Sequence, residues 1–400
     1  MEFVELVIES IDQGDKPIGV FMDLSKAFDT ISHEILLHKL ESLGIKGVNL
    51  NWFKSYLADR FQYVEISTRI NNHITTVKSE PLNILHGVPQ GSNLGPVLFL
   101  CYIQGLPNIL GDFKNSKSRL ILYADDSNLV ISSKDRQDLE RASQIQLTRL
   151  QEFFNNNSLF LNVDKTNFMA FETKQSRQLF DINIFMGENL LSKTDNTKFL
   201  GLEVDLNLSW DGHIQKISKK IYSGLYILRT MKYLCSLSVL KMIYYAHIHS
   251  HISYGLVVYG ATSHSNLKKI LLLQKQAIRT MLNLKHDDHV QEHFRSLEIL
   301  KIFSQYIFDC ILYVLDNPKK VSLRSSIHSY NTRNKNEIEI QKHKLSLFDK
   351  KTTAMGSKFL KHLPPTLKKE LYDKKFKNRL KSFLLNHPYY SINEFLESYM

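Results

Sequence analysis

Cysteine is scarce in this 400-residue chain: Cys101, Cys235 and Cys310 stand far apart and are odd in number. That excludes a disulfide framework and leaves no cysteine-rich zinc site. A reducing, intracellular compartment is expected. No run of about 18 uncharged apolar residues occurs, so no membrane-spanning helix is expected. The opening MEFVELVIESIDQGDKP carries acids where a secretory signal needs basic residues, and no apolar core follows it. Internal repeats and low-complexity tracts are missing too, and the chain is expected to be soluble. What the chain does have is basic charge. Its 51 Lys and Arg against 40 Asp and Glu give a formal net charge of +11, and with 43% hydrophobic residues it can still pack a core. An excess of that sign suits a polyanion such as nucleic acid or an anionic membrane surface, although many basic proteins bind neither.

Residues 17–24 (PIGVFMDL) form a short apolar run with no helical face, which predicts a buried strand with Asp23 near its end. Ser32 is placed to cap a helix whose apolar residues Ile35, Leu36, Leu40 and Leu43 repeat at helical spacing until Gly44. A short helix is predicted at 52–57 and strands at 62–66 and 77–85. Past a loop punctuated by Gly87, Pro89, Gly91 and Gly95, an apolar helix is predicted at 97–103. Residues 120–133 (LILYADDSNLVISS) set two apolar runs around Ala-Asp-Asp-Ser, the pattern of a β-hairpin with both acids at its tip. A helix to about residue 154 and strands near 167–171 and 197–204 complete a β-α-β-β-α-β order, the ferredoxin-like pattern of an α/β fold.

After Trp210 the pattern turns helical. Ile214, Ile217, Ile221, Leu225 and Leu228 share one face, with Lys216, Lys219 and Lys220 opposite. Helical pattern continues over 239–284, and no organisation is assigned past about residue 295. Residues 358–381 hold nine Lys or Arg against two acids, a run suited to phosphates or simply to water. Two histidine groups, His247, His249, His251 and His286, His289, His293, have spacings near those of metal ligands. No cysteine completes a tetrahedral set, so zinc is not expected.

Metal-assisted phosphoryl transfer needs carboxylates from different strands brought close together. Asp23, Asp125 and Asp126 are candidates, although a lone aromatic-x-Asp-Asp arises readily by chance. Five segments carry more information together: FMDLSKAFD at 21–29, HGVPQGS at 86–92, YADD at 123–126, NVDKT at 162–166 and FLGL at 199–202. In this order they resemble the palm motifs of non-LTR reverse transcriptases. The resemblance runs from about residue 8 to 285, and Tyr330-Asn331-Thr332-Arg333 resembles jockey-type elements.

The resemblance implies an RNA-directed DNA polymerase. Its palm with partial fingers would cover 1–207, its helical thumb 208–290, and 291–400 would be a basic, mainly helical region of unknown role. It implies that Asp23, Asp125 and Asp126 hold two Mg²⁺ ions, with Mn²⁺ as a substitute, and that Lys165 neutralises or protonates departing pyrophosphate. Phe28 would stand at the gate that excludes a ribose 2′-hydroxyl, although a ring at that spacing is otherwise core. Gln90 and Gly91 would pack beside the incoming nucleotide. Phe199, Leu200 and Gly201 would grip the primer, and Lys216, Lys219 and Lys220 would contact phosphates. The partners implied are an RNA template, a DNA primer and deoxynucleoside triphosphates, with no membrane.

Several positions depart from the pattern: Ser127 in place of Thr, Asn93 where an apolar residue is usual, and Gln104-Gly105 where Asn-Asp is commoner. A full-length member would carry further finger motifs and usually an endonuclease ahead of Met1, so a truncated copy is expected, with a partner conceivably supplying the missing parts. The rival readings are a non-catalytic nucleic-acid-binding remnant and another palm enzyme, an RNA-dependent RNA polymerase or nucleotide cyclase. Phe28 and Gln90-Gly91 argue against the second.

Overall fold

The computed structural model describes residues 1–70, 73–175, 182–321 and 341–398. Among them the chain divides into two units. A sheet unit draws on Asp15–Phe171 and Arg177–Thr194; a helical unit draws on Met1–Gly14, with α1 (Glu2–Asp12), on Glu172–Ser176 and on Asp195–Met400. This division cuts the chain differently from the expected regions 1–207, 208–290 and 291–400, which rest on resemblance. The segment 330–333 lies outside the described residues.

The sheet unit starts with β1 (Lys16–Met22), which is buried on both faces and therefore reads as a nearly continuous apolar run. After β2 (Leu24–Ser25) comes α2 (His33–Ser42). There the Ser32 hydroxyl accepts from the Ile35 amide at 3.4 Å, while Leu36 and Leu40 face the core. Next are α3 (Val48–Leu57), the short strand β3 (Phe61–Gln62), a ribbon of β4 (Glu65–Ile70) and β5 (His73–Lys78), then β6 (Leu82–Asn83) and α4 (Gly95–Tyr102). The hairpin β7 (Ser116–Tyr123) and β8 (Asp126–Ser133) leads into α5 (Arg136–Asn156), whose first amides are capped by the Asp135 carboxylate at 2.8 and 3.2 Å. The unit closes with β9 (Phe160–Leu161), β10 (Asn167–Ala170), the small hairpin β11 (Phe185–Met186) and β12 (Asn189–Leu190), and β13 (Ser192–Lys193).

Five strands form one sheet in the order β13-β10-β1-β8-β7. The β10-β1, β1-β8 and β8-β7 pairs are antiparallel and only β10-β13 is parallel. Helices α2 to α4 fall between β1 and β7, and α5 between β8 and β10. Four strands of this sheet, β1, β7, β8 and β10, thus appear with their helices in the expected chain order β-α-β-β-α-β. The core joins Val20 and Met22 of β1, Ile131 of β8 and Phe168 of β10 to Phe99 of α4 and Phe154 of α5.

Two expectations fail locally. In place of strands at 62–66 and 77–85, the structure has the β4-β5 ribbon flanked by the two-residue strands β3 and β6. The ribbon's Ile66, Ile74 and Val77 are exposed, so no buried face marks its limits in the sequence. In place of one strand at 197–204, β14 (Asn196–Phe199) and β15 (Leu202–Asp205) form a hairpin apart from the five-stranded sheet. Its turn runs through Leu200 at φ +45° and Gly201 at φ +82°. The strand that pairs with β10 at the sheet's edge is instead β13.

In the helical unit, α6 (Asp211–Met231) starts from a connection held by the Asp205 carboxylate. That group accepts from the amides of Asn207, Ser209 and Trp210 at 3.2, 2.9 and 2.7 Å. Ile214, Ile217, Ile221, Leu225 and Leu228 are all buried, and α6 packs mainly on the helix His264–Leu282. No described helix is long and apolar enough to cross a membrane.

Candidate functional site

Strand register puts two of the carboxylates at the same end of the sheet. β1 pairs with β8 as far as Met22 opposite Ser127, and Leu24 then pairs with Leu161 of β9, so Asp23 sits where the strand changes partners. Asp23 follows the last pair, Met22–Ser127, and therefore lies at the same end of the sheet as Asp126, the first residue of β8. Asp125 lies in the β7-β8 turn beside Ala124, whose φ of +52° is left-handed. A non-glycine residue held there costs on the order of 1–3 kcal/mol, so the turn is constrained rather than relaxed.

Lys165 reaches the same place through backbone ties. The Asn162 amide donates to the Asp23 carbonyl at 2.8 Å, the Thr166 hydroxyl donates to the Asn162 carbonyl at 2.8 Å, and the Asp23 amide donates to that hydroxyl at 3.4 Å. Thr166 is fully buried, so this small network is shielded from water. The turn it fixes leaves the Lys165 ammonium 3.8 Å from the Asp23 carboxylate, with both side chains substantially exposed. An exposed pair of this kind adds little stability. It does set a positive charge beside Asp23. The motif residues Asn162 and Thr166 had no role assigned from sequence; the small hydroxyl and amide of the NVDKT segment were the available signal.

A second loop docks on the turn after β2. The Val88 amide donates to the Phe28 carbonyl at 2.9 Å, the Gly87 amide to the Ile31 carbonyl at 2.8 Å, and the Gln90 side-chain amide to the Asp29 carboxylate at 2.8 Å. Gly87 is required by this close approach. Its φ is +85°, and an added Cβ would lie 2.8 Å from the Asp29 Cα. Space is open around Gly91. The half-buried Phe28 ring tilts against Phe99 of α4 with centroids 4.8 Å apart, so the ring is oriented by the core while keeping an accessible edge. Asp29 and Gly87 are further residues whose part becomes visible only in three dimensions.

The remaining candidates lie in the helical unit. Tyr254 donates its hydroxyl to the Leu200 carbonyl at 2.6 Å and covers Gly201, which clamps the turn of the Phe199-Leu200-Gly201 hairpin. Phe199 itself is buried and meets Phe3 at 5.0 Å. On α6, Lys219 and Lys220 are exposed, whereas Lys216 is half-buried and ion-paired with Glu203. Its charge is therefore largely committed within the unit. His247, His249 and His251 follow one another along a helical run, and burial pushes the His249 imidazole down.

Among the described residues, no three His, Cys, Asp or Glu side chains form a ready-made metal cage. Mg²⁺ does not require one, since it keeps several waters and usually takes one or two carboxylates plus substrate phosphates. Asp23 and Asp126 are oxygen donors that solvent reaches, with Asp125 beside Asp126 in the turn.

A family profile described as "Reverse transcriptase (RNA-dependent DNA polymerase)" matches residues 6–204. Among curated proteins, the chain is similar to a probable RNA-directed DNA polymerase from transposon BS of Drosophila melanogaster, 29% identical over 280 residues covering 69% of this chain and 30% of that protein. It is also similar to the RNA-directed DNA polymerase from mobile element jockey of the same fly, 25% identical over 305 residues covering 75% and 32%. The chain thus spans about a third or less of the length of these relatives. Among solved structures, telomerase from Candida tropicalis with the TWJ fragment of telomeric RNA aligns at 10% identity and a TM-score of 0.36, covering 96% of this chain and 52% of that one. A superposition that loose supports no residue correspondence.

Proposed function

Because residues 6–204 are a reverse transcriptase domain of the kind carried by jockey-like non-LTR retrotransposons, we propose that this chain copies RNA into DNA by adding deoxynucleotides to a primer 3′-hydroxyl. The reading is supported by one observation above all: the Met22–Ser127 register puts Asp23 and Asp126 at the same end of the sheet, where Asp125 turns the chain and the Lys165 ammonium lies 3.8 Å from the Asp23 carboxylate. In this assignment residues 1–207 serve as palm with partial fingers, 208–290 as thumb and 291–400 as a basic accessory region. The template is RNA and the primer DNA.

Asp23, Asp125 and Asp126 would hold two divalent ions, Mg²⁺ or Mn²⁺. Such ions supply Lewis-acid charge at the attacking and leaving oxygens of an in-line displacement. The chain's own groups do the rest. Lys165 offers an ammonium to the departing pyrophosphate, as a charge or as a proton donor. Phe28, braced by Phe99, fills the space of a ribose 2′-hydroxyl and so favours deoxynucleotides by exclusion. Gln90, anchored on Asp29, lines the nucleotide's approach. The hairpin at Phe199-Leu200-Gly201 supports the primer, and the exposed α6 lysines Lys219 and Lys220 contact phosphates without reading sequence. A purely non-catalytic role is not favoured for a chain that keeps all three carboxylates.

Primer extension on an RNA template by the purified chain, with Mg²⁺ and labelled deoxynucleotides, tests this directly. RNA-dependent, Mg²⁺-dependent extension is expected. A folded protein that binds the primer-template but extends nothing would overturn the proposal.

A further inference from the structure

The buried face of α6 is explained by packing; its outer face is not. Tyr222, Tyr226 and Tyr233 are 58%, 70% and 77% exposed, and Lys219, Lys220 and Arg229 of the same helix are exposed as well. Tyr222 and Tyr226 are one helical turn apart, about 6 Å along the axis, and Tyr233 continues the row just past the helix end. The Lys232 ammonium lies 4.6 Å from the centroid of the Tyr233 ring. From Gly212 to Leu234 the chain has five Lys or Arg and no Asp or Glu. Single exposed aromatics are ordinary. Two tyrosines on one helix and a third just past its end, interleaved with cations and free of acids, make a surface with a specific chemistry.

We infer that this face binds single-stranded nucleic acid, stacking unpaired bases on Tyr222, Tyr226 and Tyr233 while Lys219, Lys220 and Arg229 hold the phosphates. Charge complementarity selects a polyanion, and the rings select one with accessible π-faces. Unpaired bases offer these, while a duplex keeps its bases stacked inside. The inference rests on the polymerase reading only in supplying a reason for a single strand to be near. Binding itself needs no catalysis.

The test is fluorescence anisotropy with the full chain against labelled oligouridylate, oligodeoxythymidylate, an abasic strand of the same length and a hairpin duplex. The parent is expected to bind both base-bearing single strands more tightly than the abasic strand or the duplex. Preference for the uridylate would assign the face to RNA; equal affinity for the two would assign it to single strands of either sugar. Replacing all three tyrosines (Tyr222→Ala, Tyr226→Ala, Tyr233→Ala) should weaken oligouridylate binding at least about tenfold and leave abasic binding unchanged. The corresponding Tyr→Phe changes should retain affinity. Lys219→Gln with Lys220→Gln should reduce the salt slope by about 0.7 for each phosphate no longer neutralised.

Equal parent affinity for base-bearing and abasic strands would overturn the inference, and so would a parent preference for duplex or an alanine variant that binds like the parent. Should the alanine variant fail to fold, the parent's ratio and the Tyr→Phe variant still decide. Extension without base preference rejects this face alone; base preference without extension rejects the polymerase reading alone.

Discussion

The carboxylate end of the sheet unit and the outer face of α6 carry opposite charge and hold it in different ways. At the first, Asp23, Asp126 and Lys165 come from segments far apart in the chain and are positioned by strand register and by part-buried hydrogen bonds of the Thr166 hydroxyl. At the second, cations and rings come from one helix, each on its own exposed side chain. The contrast matches two tasks. Chemistry demands atoms held to a fraction of an ångström, because a small misplacement costs rate severely. Strand binding tolerates spread, since phosphates attract cations at a distance and every base has a face to stack. Changes at the first region should therefore act on rate, and changes at the second on affinity and its salt dependence.

The largest effect should come from the carboxylates. Asp125→Asn should lower primer extension by at least about 100-fold while template affinity and melting temperature stay close to the parent's, because the lost charge acts mainly on the transition state. An Asp125→Asn protein extending at the parent rate would erase the distinction between the two regions.

Phe28→Val should come next. Opening the space beside the sugar is expected to raise ribonucleotide use relative to deoxynucleotide use by about tenfold or more. A ring that serves only the core predicts another result: a loss of a few kcal/mol in stability, with both nucleotides affected together. Competition between the two nucleotide types, read beside a melting curve, separates them.

Thr166→Val sharpens the comparison further. It removes the hydroxyl that links the Asp23 amide to the Asn162 carbonyl, at a cost of about 1 kcal/mol in stability. A several-fold fall in kcat with unchanged binding is expected if this network positions Lys165. Equal falls in kcat and template affinity would mean the residue is only structural.

The smallest effect is on pH. Burial pushes the His213 imidazole at the start of α6 down from 6.5 to about 4, and its Nδ1 accepts from the Glu203 amide at 3.3 Å. The neutral form is thus favoured in the folded state. Its contribution is full above pH 6.5 and is lost as pH falls from 6.5 toward 4, because the unfolded chain then binds the extra proton. At pH 5 the loss is on the order of 2 kcal/mol. Melting curves at pH 7 and pH 5 should show the parent losing more stability than His213→Asn; equal losses would contradict the burial argument.

How much of this was legible in the sequence follows the same division. The inward face of α6 could be read from Ile214, Ile217, Ile221, Leu225 and Leu228 because a helix repeats locally, and all five are buried. The partner of Lys216 could not, since Glu203 lies on the far side of a turn shaped by the Asp205 carboxylate. Around the carboxylates, the YADD hairpin and the strand ending at Asp23 were readable one at a time. Their adjacency depends on the β1-β8 register, which no local pattern encodes. Nor does spacing announce that Gly87 must be glycine: the obstacle is the backbone of Asp29, distant in sequence and pressed against it by the docked loop. The ribbon of β4 and β5 was misplaced because its apolar residues face water, which removes the burial on which strand periodicity depends.

The claim at the centre is that Asp23, Asp125 and Asp126 hold the reaction's divalent ions at one end of the sheet. Replacing Mg²⁺ by Fe²⁺ in a complex with primer, template and deoxynucleotide, then adding ascorbate and peroxide, cuts the chain beside bound metal. Cleavage near residue 23 and near residues 125–126 is expected, suppressed by excess Mg²⁺ and lost in Asp23→Asn with Asp126→Asn. Cutting confined to other segments, or unchanged in that variant, would contradict the assignment.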